Sequence, residues 1–423
     1  MNTYAKILLL AMPAFFGLVM LEKLYGYWFK KEAFRVMDTI SSLSSGFTNV
    51  IKDVIGLSIS ILSYGWMVEH WALTEVKSNG LVYLIAFVSL DFAGYWVHRM
   101  SHQINFFWNK HAIHHSSEEF NLACALRQSI SSFINLFSFF LLPAALLGVD
   151  AQVIATIAPI HLFAQFWYHT VHIDRMGFLE KILVTPSHHR VHHAINPQYL
   201  DKNHSQIFII WDKLFGTFQE ELPDVPPIYG ITRPVRTWNP FKINFQHLFL
   251  LIQDAWRAQS WQDKLTIWFK PTGWRPADVE EKYPVPKIEN PYTYPKYNPD
   301  ASNALVIWTW IQFFGTLAGM IHFFSRIDLY TLPDIFWNGA ILAVGIYAYT
   351  ELMDRNPWAF VFHLIQGLMA LGLFFLHDLT WFGDTQAWVH TVLFGFLTLS
   401  PLVALWFAQR EFNWKLPSSA FHT

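Results

Sequence analysis

The chain has 423 residues, of which 53% are apolar and 14% charged, against about a quarter charged in an ordinary soluble domain. With 29 Lys and Arg facing 31 Asp and Glu, no global basic field exists to hold a phosphate backbone, which argues against a nucleic-acid partner. The single cysteine, Cys124, excludes an intrachain disulfide, a four-cysteine iron–sulfur cluster and a thiolate zinc site.

Taken in chain order, the apolar residues form about nine runs near membrane length, at roughly 7–21, 54–69, 81–97, 130–148, 152–168, 303–325, 333–350, 358–376 and 386–408. The first reads as a retained anchor: Lys6 is the only charge before it, no A-x-A site follows, and Lys23, Lys30, Lys31 and Arg35 come after it. Nine crossings from an outward N-terminus put 26 of the 29 basic residues inside, with Lys6, Lys77 and Arg326 the exceptions. The expected fold is an all-α integral membrane protein, a multi-span helical bundle with a cytoplasmic histidine-rich cap. Its expected parts are N-terminal anchor spans (1–80), a di-metal catalytic domain (81–275), a Pro/Tyr-rich linker (276–300) and a C-terminal four-span region (301–423). A multi-pass protein of a bacterial plasma membrane or the endoplasmic reticulum fits this pattern.

Within the cap, Asn239-Pro240 is a helix start, with a capping side chain followed by proline in the first turn. Phe241, Phe245, Leu248, Phe249, Ile252 and Trp256 follow at helical spacing, and Trp261, Trp268 and Trp274 come close behind. Two readings stand side by side: a helix lying among lipid headgroups, or an amphipathic helix packed on the cap.

Thirteen of the twenty histidines lie between 98 and 204. His98 and His102 stand at i and i+4 at the end of the third run, so their imidazoles share a helical face. His111, His114 and His115 give i, i+3 and i+4, and His189, His192 and His193 repeat that spacing. A helix start at Thr185-Pro186 and a stop at Asn196-Pro197 frame the second triplet. His169 closes the fifth run as a ninth candidate, while His172 and His188 compete for a tenth place.

Eight patterned imidazoles exceed what one ion can use, since zinc takes four ligands and octahedral metals six. Two metals are the economical reading. A hydrolytic dizinc site would normally include a carboxylate, and none falls inside these motifs. At the mouth of an apolar bundle the accessible substrate is a lipid chain, and C–H chemistry needs a redox metal with dioxygen, which favours iron. Transit sites for transported ions are distributed near the midplane, whereas these histidines gather at span ends on one side. His70, His161, His322, His363, His377 and His390 read as ordinary buried or surface residues.

The HxxxH, HxxHH and HxxHH motifs among membrane runs resemble the fatty acid hydroxylase and sterol desaturase superfamily of membrane di-iron enzymes. Several stretches are similar to one branch, the alkylglycerol monooxygenases: Tyr95–His102, His114–Leu122, Ala125–Ser129, Thr185–His193, Asp201–Asn203, Ile210–Phe218 and Tyr229–Thr232. This resemblance covers roughly residues 80–275. It implies two iron ions, dioxygen as co-substrate, and hydroxylation of the carbon beside the ether oxygen of a glycerol ether lipid. It also implies His98, His102, His111, His114, His115, His189, His192 and His193 as ligands, with tetrahydrobiopterin as reductant. Two positions depart from the branch: Gln103 and Val171 stand where it carries glutamates, and they weigh against pterin dependence. The runner-up is a sterol or fatty-acyl hydroxylase or desaturase of the same superfamily served by a protein electron donor.

Metal-bound histidines usually pass their second N–H to a carboxylate or carbonyl, and Asp91, Glu118 and Glu119 are the acidic residues expected to do so here. No GxGxxG follows a strand, so a nucleotide reductant site is not evident. Electrons must come from an external reductant, a pterin or a redox protein, to a lipid substrate held at the bilayer.

Overall fold

The computed structural model describes residues 3–412 apart from 31–33, 57–58, 61–62, 132–133, 136, 378–379 and 381–385. Lys31 and parts of the expected runs 54–69 and 130–148 lie outside the described residues. The architecture is helical, with one two-residue parallel pairing of Ile59–Ser60 and Ile134–Asn135.

Five helices among the described residues are long and apolar enough to cross a membrane: Ile7–Lys30, Gly80–Gln103, Asn303–Ser325, Ala359–Leu376 and Ala387–Arg410. That is fewer than the nine runs expected. The run at 152–168 is a 13-residue helix, Ala151–Phe163, which rises only about 20 Å before tight turns at Gln165 and Phe166. The run at 54–69 holds the eight-residue helix Tyr64–Trp71, and 130–148 holds the short helices Phe137–Phe140 and Leu142–Leu146. Leu332–Met353 is 22 residues long but carries Asp334, Asn338 and Glu351. Apolar composition registers a buried or lipid-facing environment, not where the backbone turns.

Contacts divide the chain into two units. The first comprises 1–57, 236–242 and 297–423. There the Val36–Val54 helix buries a hydroxyl-rich face, with Ser41 Oγ donating to the Trp238 carbonyl at 2.7 Å and Ser44 Oγ meeting Tyr349 Oη at 2.6 Å. Buried Glu351 accepts from Asn239 Nδ2 at 2.7 Å and from Lys242 Nζ. Asn239 Oδ1 in turn caps the Pro240–Arg257 helix through the Phe241 N–H at 3.0 Å.

The second unit, 58–235 and 243–296, contains every patterned histidine. Asn79 Oδ1 caps the Gly80–Gln103 helix through the Leu81 and Val82 N–H groups. Val82, Ala86, Leu90 and Ala93 on that helix pack with Met67, Leu141, Ala144 and Val153. In a span this packing acts through close van der Waals fit, which anchors the helix whose last two turns bear His98 and His102. Asn105–His115 and Pro186–His192 supply the two triplets, and Pro186 occupies the first turn of its helix as expected. That helix stops at His192, ahead of the expected Asn196-Pro197 signal, because Asn196 is engaged elsewhere: its side chain donates to the Pro226 carbonyl and accepts from the Ile228 N–H.

Candidate metal centre

Nine imidazoles converge into two groups. His98, His102, His111, His115 and His192 form the first, and His114, His169, His189 and His193 the second, with the ligand atoms of each group within 4.8 Å of one another. Helical geometry sorts them. On the Asn105–His115 helix, His111 and His115 at i and i+4 face the first group and His114 faces the second; on Pro186–His192, His192 and His189 divide likewise. Each triplet therefore serves both groups.

The Nε2 atoms meet at short range. Within the first group the separations are 2.8 Å for His98–His111, 3.0 Å for His111–His115 and 3.2 Å for His102–His115. In the second they are 2.9 Å for His169–His189, 3.1 Å for His189–His193 and 3.4 Å for His114–His169. These are the spacings of neighbouring donors on one ion bound at about 2.0–2.1 Å. His192 Nε2 is buried with no hydrogen-bond partner among the described residues and belongs to the same convergence. Such a donor set fits imidazole-preferring transition metals.

Burial and neighbouring imidazoles drive His111, His115, His189, His192, His193 and His169 well below the usual histidine range, and burial holds His114 at about 4. These rings are neutral near pH 7, the form that offers a nitrogen lone pair to a metal.

Outer contacts fix the tautomers. The Nδ1–H of His98 donates to the His204 carbonyl at 2.7 Å, that of His192 to the Lys202 carbonyl at 2.9 Å, and that of His102 to Asp201 Oδ1 at 3.2 Å. In the second group, His169 Nδ1 meets the Gln165 carbonyl at 3.0 Å and His114 Nδ1 the Arg127 carbonyl at 3.4 Å. A proton held at Nδ1 leaves the Nε2 lone pair free to point inward.

Residues 83–217, which hold all nine imidazoles, match the fatty acid hydroxylase family model. An alkylglycerol monooxygenase of Xenopus tropicalis is 33% identical over 365 residues, 85% of this chain and 80% of the relative. The human alkylglycerol monooxygenase is 34% identical over 371 residues, 86% of this chain and 81% of its own. The chain belongs to the alkylglycerol monooxygenase branch of the fatty acid hydroxylase family. It is therefore an oxidoreductase. An ornithine lipid hydroxylase of Rhizobium tropici is 27% identical over 195 residues, 46% of this chain and 57% of the relative. No solved structure matches. Similarity to the monooxygenases runs well beyond residues 80–275.

One short loop of this family member supports three imidazoles of the first group. Asp201 and Asn203 both adopt positive φ, 55° and 56°, turning the 201–204 backbone so that its carbonyls face the imidazoles. Buried Asp212 secures it, accepting the His204 and Ser205 N–H groups at 2.8 Å each and Thr217 Oγ1 at 2.6 Å. Asn203 adds bonds to the His188 and Gln219 carbonyls. Arg190 forks onto Glu221 at 2.7–3.1 Å and holds the Thr170 and Ile173 carbonyls, bracing the backbone just after His169.

Of the acidic residues expected behind the imidazoles, Asp91 is engaged by a different set of partners. Asp91 is fully buried and accepts from His161 Nε2 (3.0 Å), the Ile207 and Phe208 N–H groups (2.8 and 3.0 Å) and Trp211 Nε1 (2.8 Å), so it pins the 207–211 segment to the Gly80–Gln103 helix. Glu119 Oε2 accepts from Asn121 Nδ2 at 3.3 Å. Glu118 lines a cavity of about 170 Å³ with Ser116, Tyr229, Tyr292 and Lys296. Tyr229 stacks on Phe120 at 5.1 Å, and Phe120 faces His193 at 5.2 Å, so one aromatic layer separates this cavity from the second group. His172 and His188 fall outside both groups; the His188 ring packs on Phe218. The Gln103 carbonyl accepts the Thr272 N–H, and Val171 is half-buried beside His172. For Asp201 and Asp212 the sequence leaves support of the site and capping or surface pairing equally open, because their roles depend on loop contacts without helical spacing. His204 is a further buried imidazole, 4.9 Å from His102 by ring centre, with no i+3 or i+4 partner to flag it.

Proposed function

We propose that this chain is a membrane di-iron monooxygenase that hydroxylates a lipid C–H bond, with alkylglycerol-type ether lipids as substrate. The observation that carries this reading is the division of nine imidazoles into a group of five and a group of four, with no carboxylate in either among the described residues, at the end of a 24-residue apolar helix. Two iron ions held there would supply dioxygen activation. The balance is RH plus dioxygen, two electrons and two protons giving ROH plus water. At the carbon beside an ether oxygen, ROH is a hemiacetal that separates into an aldehyde and a glycerol derivative.

The chain's own part is orientation and exclusion of water. His98, His102, His192, His114 and His169 are held in one tautomer by their Nδ1 partners, and the buried aromatic shell of Tyr168 and Phe120 closes the second group. The two electrons come from an external reductant, and the cavity behind the Phe120–Tyr229 stack offers a small donor its approach to the second group.

The test is purified protein in lipid nanodiscs, loaded with iron and given a labelled alkylglycerol, dioxygen and tetrahydrobiopterin. Aldehyde release that needs all three supports the reading. Intact alkylglycerol from protein holding two irons per chain overturns the ether-lipid assignment and turns attention to sterol or acyl hydroxylation with a protein donor.

A further inference from the structure

The helix and turns that follow residue 243 are apolar on both faces, with exposed Gln253, Arg257 and Gln262 standing among the outward rings. On their outward face Phe249, Ile252 and Trp256 recur at i, i+3 and i+7, and Trp261, Leu265 and Phe269 extend the patch. Trp256 is 84% exposed, Trp261 75% and Phe269 74%. The inward face is apolar at Ile243, Leu250, Leu251, Ala258 and Ile267, yet it also holds polar residues: Asn244, bonded to the Ile130 N–H, and Asp254, paired with Arg275 at 2.6 and 2.8 Å. A helix on a water-facing surface gathers its large apolar side chains on one inward stripe, whereas this one carries them outward as well. Apolar exposure on this scale marks an interaction surface.

Where this patch sits is set by Asn105. The Asn105 N–H donates to the Lys270 carbonyl at 3.0 Å, its Nδ2 to the Ile267 and Trp274 carbonyls, and its Oδ1 accepts the Gly273 N–H at 2.9 Å. The Thr272 N–H reaches the Gln103 carbonyl at 3.1 Å. Residues 267–274 are thus clamped within two residues of the end of the Gly80–Gln103 helix. That helix has 24 residues and a length of about 36 Å, enough to cross a hydrocarbon core of about 30 Å and end at one headgroup layer. Cations stand on the rim, with Arg257 over Tyr283, Lys264 over Trp261 and Lys270 over Trp274, the pairing of amphipathic rings and positive charge that suits an anionic headgroup layer.

We propose that the outward face formed by Phe249, Ile252, Trp256, Trp261, Leu265 and Phe269 is a collar inserted into the interfacial layer of the bilayer at the end of the Gly80–Gln103 span. The collar fixes the depth of the histidine groups, because His98 and His102 occupy the last two turns of the same helix. It does not depend on which bond the site attacks.

Nitroxide labels at single cysteines, introduced as Trp256→Cys, Phe269→Cys or Glu281→Cys in a Cys124→Ser background, test this in the full chain in nanodiscs of phosphatidylcholine and phosphatidylglycerol. The labels at 256 and 269 are expected to collide with dioxygen several-fold more, relative to a water-soluble nickel chelate, than the label at exposed Glu281. Equal ratios at all three sites would overturn the collar, as would dipolar broadening between copies at 256 and 269, which would make a second copy the occupant.

Discussion

Asp212 gives the sharpest prediction, because it touches no metal-facing imidazole and yet governs three of them. Its carboxylate accepts two buried N–H groups and one hydroxyl from the strained 201–205 turn and from Thr217. Asp212→Ala leaves those two amides without a partner, at about 1–3 kcal/mol each. The turn relieves that penalty by opening to water, which withdraws the Asp201 carboxylate and the Lys202 and His204 carbonyls from His102, His192 and His98. Loss of such an outer partner costs a metal site about 10–100-fold in affinity, equivalent to about 1.4–2.7 kcal/mol. The second group rests on the Gln165 and Arg127 carbonyls and should keep its ion. Metal analysis after dialysis against a chelator should therefore fall from two ions per chain to one. Adding His192→Ala should then remove nothing more, while adding His193→Ala should remove the remaining ion. Asp212→Asn, which keeps one acceptor oxygen, should lie between. Two ions retained in Asp212→Ala, or equal loss from both groups, would refute the reasoning.

His114→Ala should abolish hydroxylation measured by product mass spectrometry, whereas His363→Ala, buried on the Ala359–Leu376 helix, should leave most of it; similar losses would mean ligand and core histidines have been confused. Arg190→Ala breaks a buried forked pair with Glu221 and should lower stability by about 3–5 kcal/mol, read as a fall in thermal midpoint, with Arg190→Lys a poor rescue because an ammonium cannot fork. His247 donates through Nε2 to the Asn105 carbonyl at 3.0 Å, and burial lowers it from 6.5 to about 4. As pH falls from 6.5 toward 4 the unfolded chain gains a proton there that the folded chain refuses, so stability drops by about 1.4 kcal/mol per pH unit from this group. Chemical denaturation across that window should show a slope shallower by about one proton in His247→Gln, and an unchanged slope would contradict the assignment.

Sequence reading reached the centre because its spacing is helical. HxxxH and HxxHH place imidazoles on defined faces whatever the surroundings, and all nine histidines selected as ligands lie in one group or the other. Its partition was not read from the motifs: neighbouring His114 and His115 fall in different groups, and which face of each helix meets which neighbour depends on contacts distant in sequence. Acidic support was equally illegible: Asp91, attractive by proximity along the chain, binds His161 and the 207–211 segment, while Asp201 reaches His102 across 99 positions. The aromatic run after Asn239 left two readings open, since periodicity marks an apolar stripe without saying which way it faces.

Composition and spacing by themselves determined the class of molecule and the imidazoles that converge into the two groups. Those are properties of side chains and local helical geometry, which survive without knowledge of the fold. Only the tertiary structure decided which runs are long enough to span, how the imidazoles divide five and four, and which loop holds them. Each of those depends on contacts between residues far apart in sequence, and in particular on one buried aspartate, Asp212, that organises a turn no local signal marks.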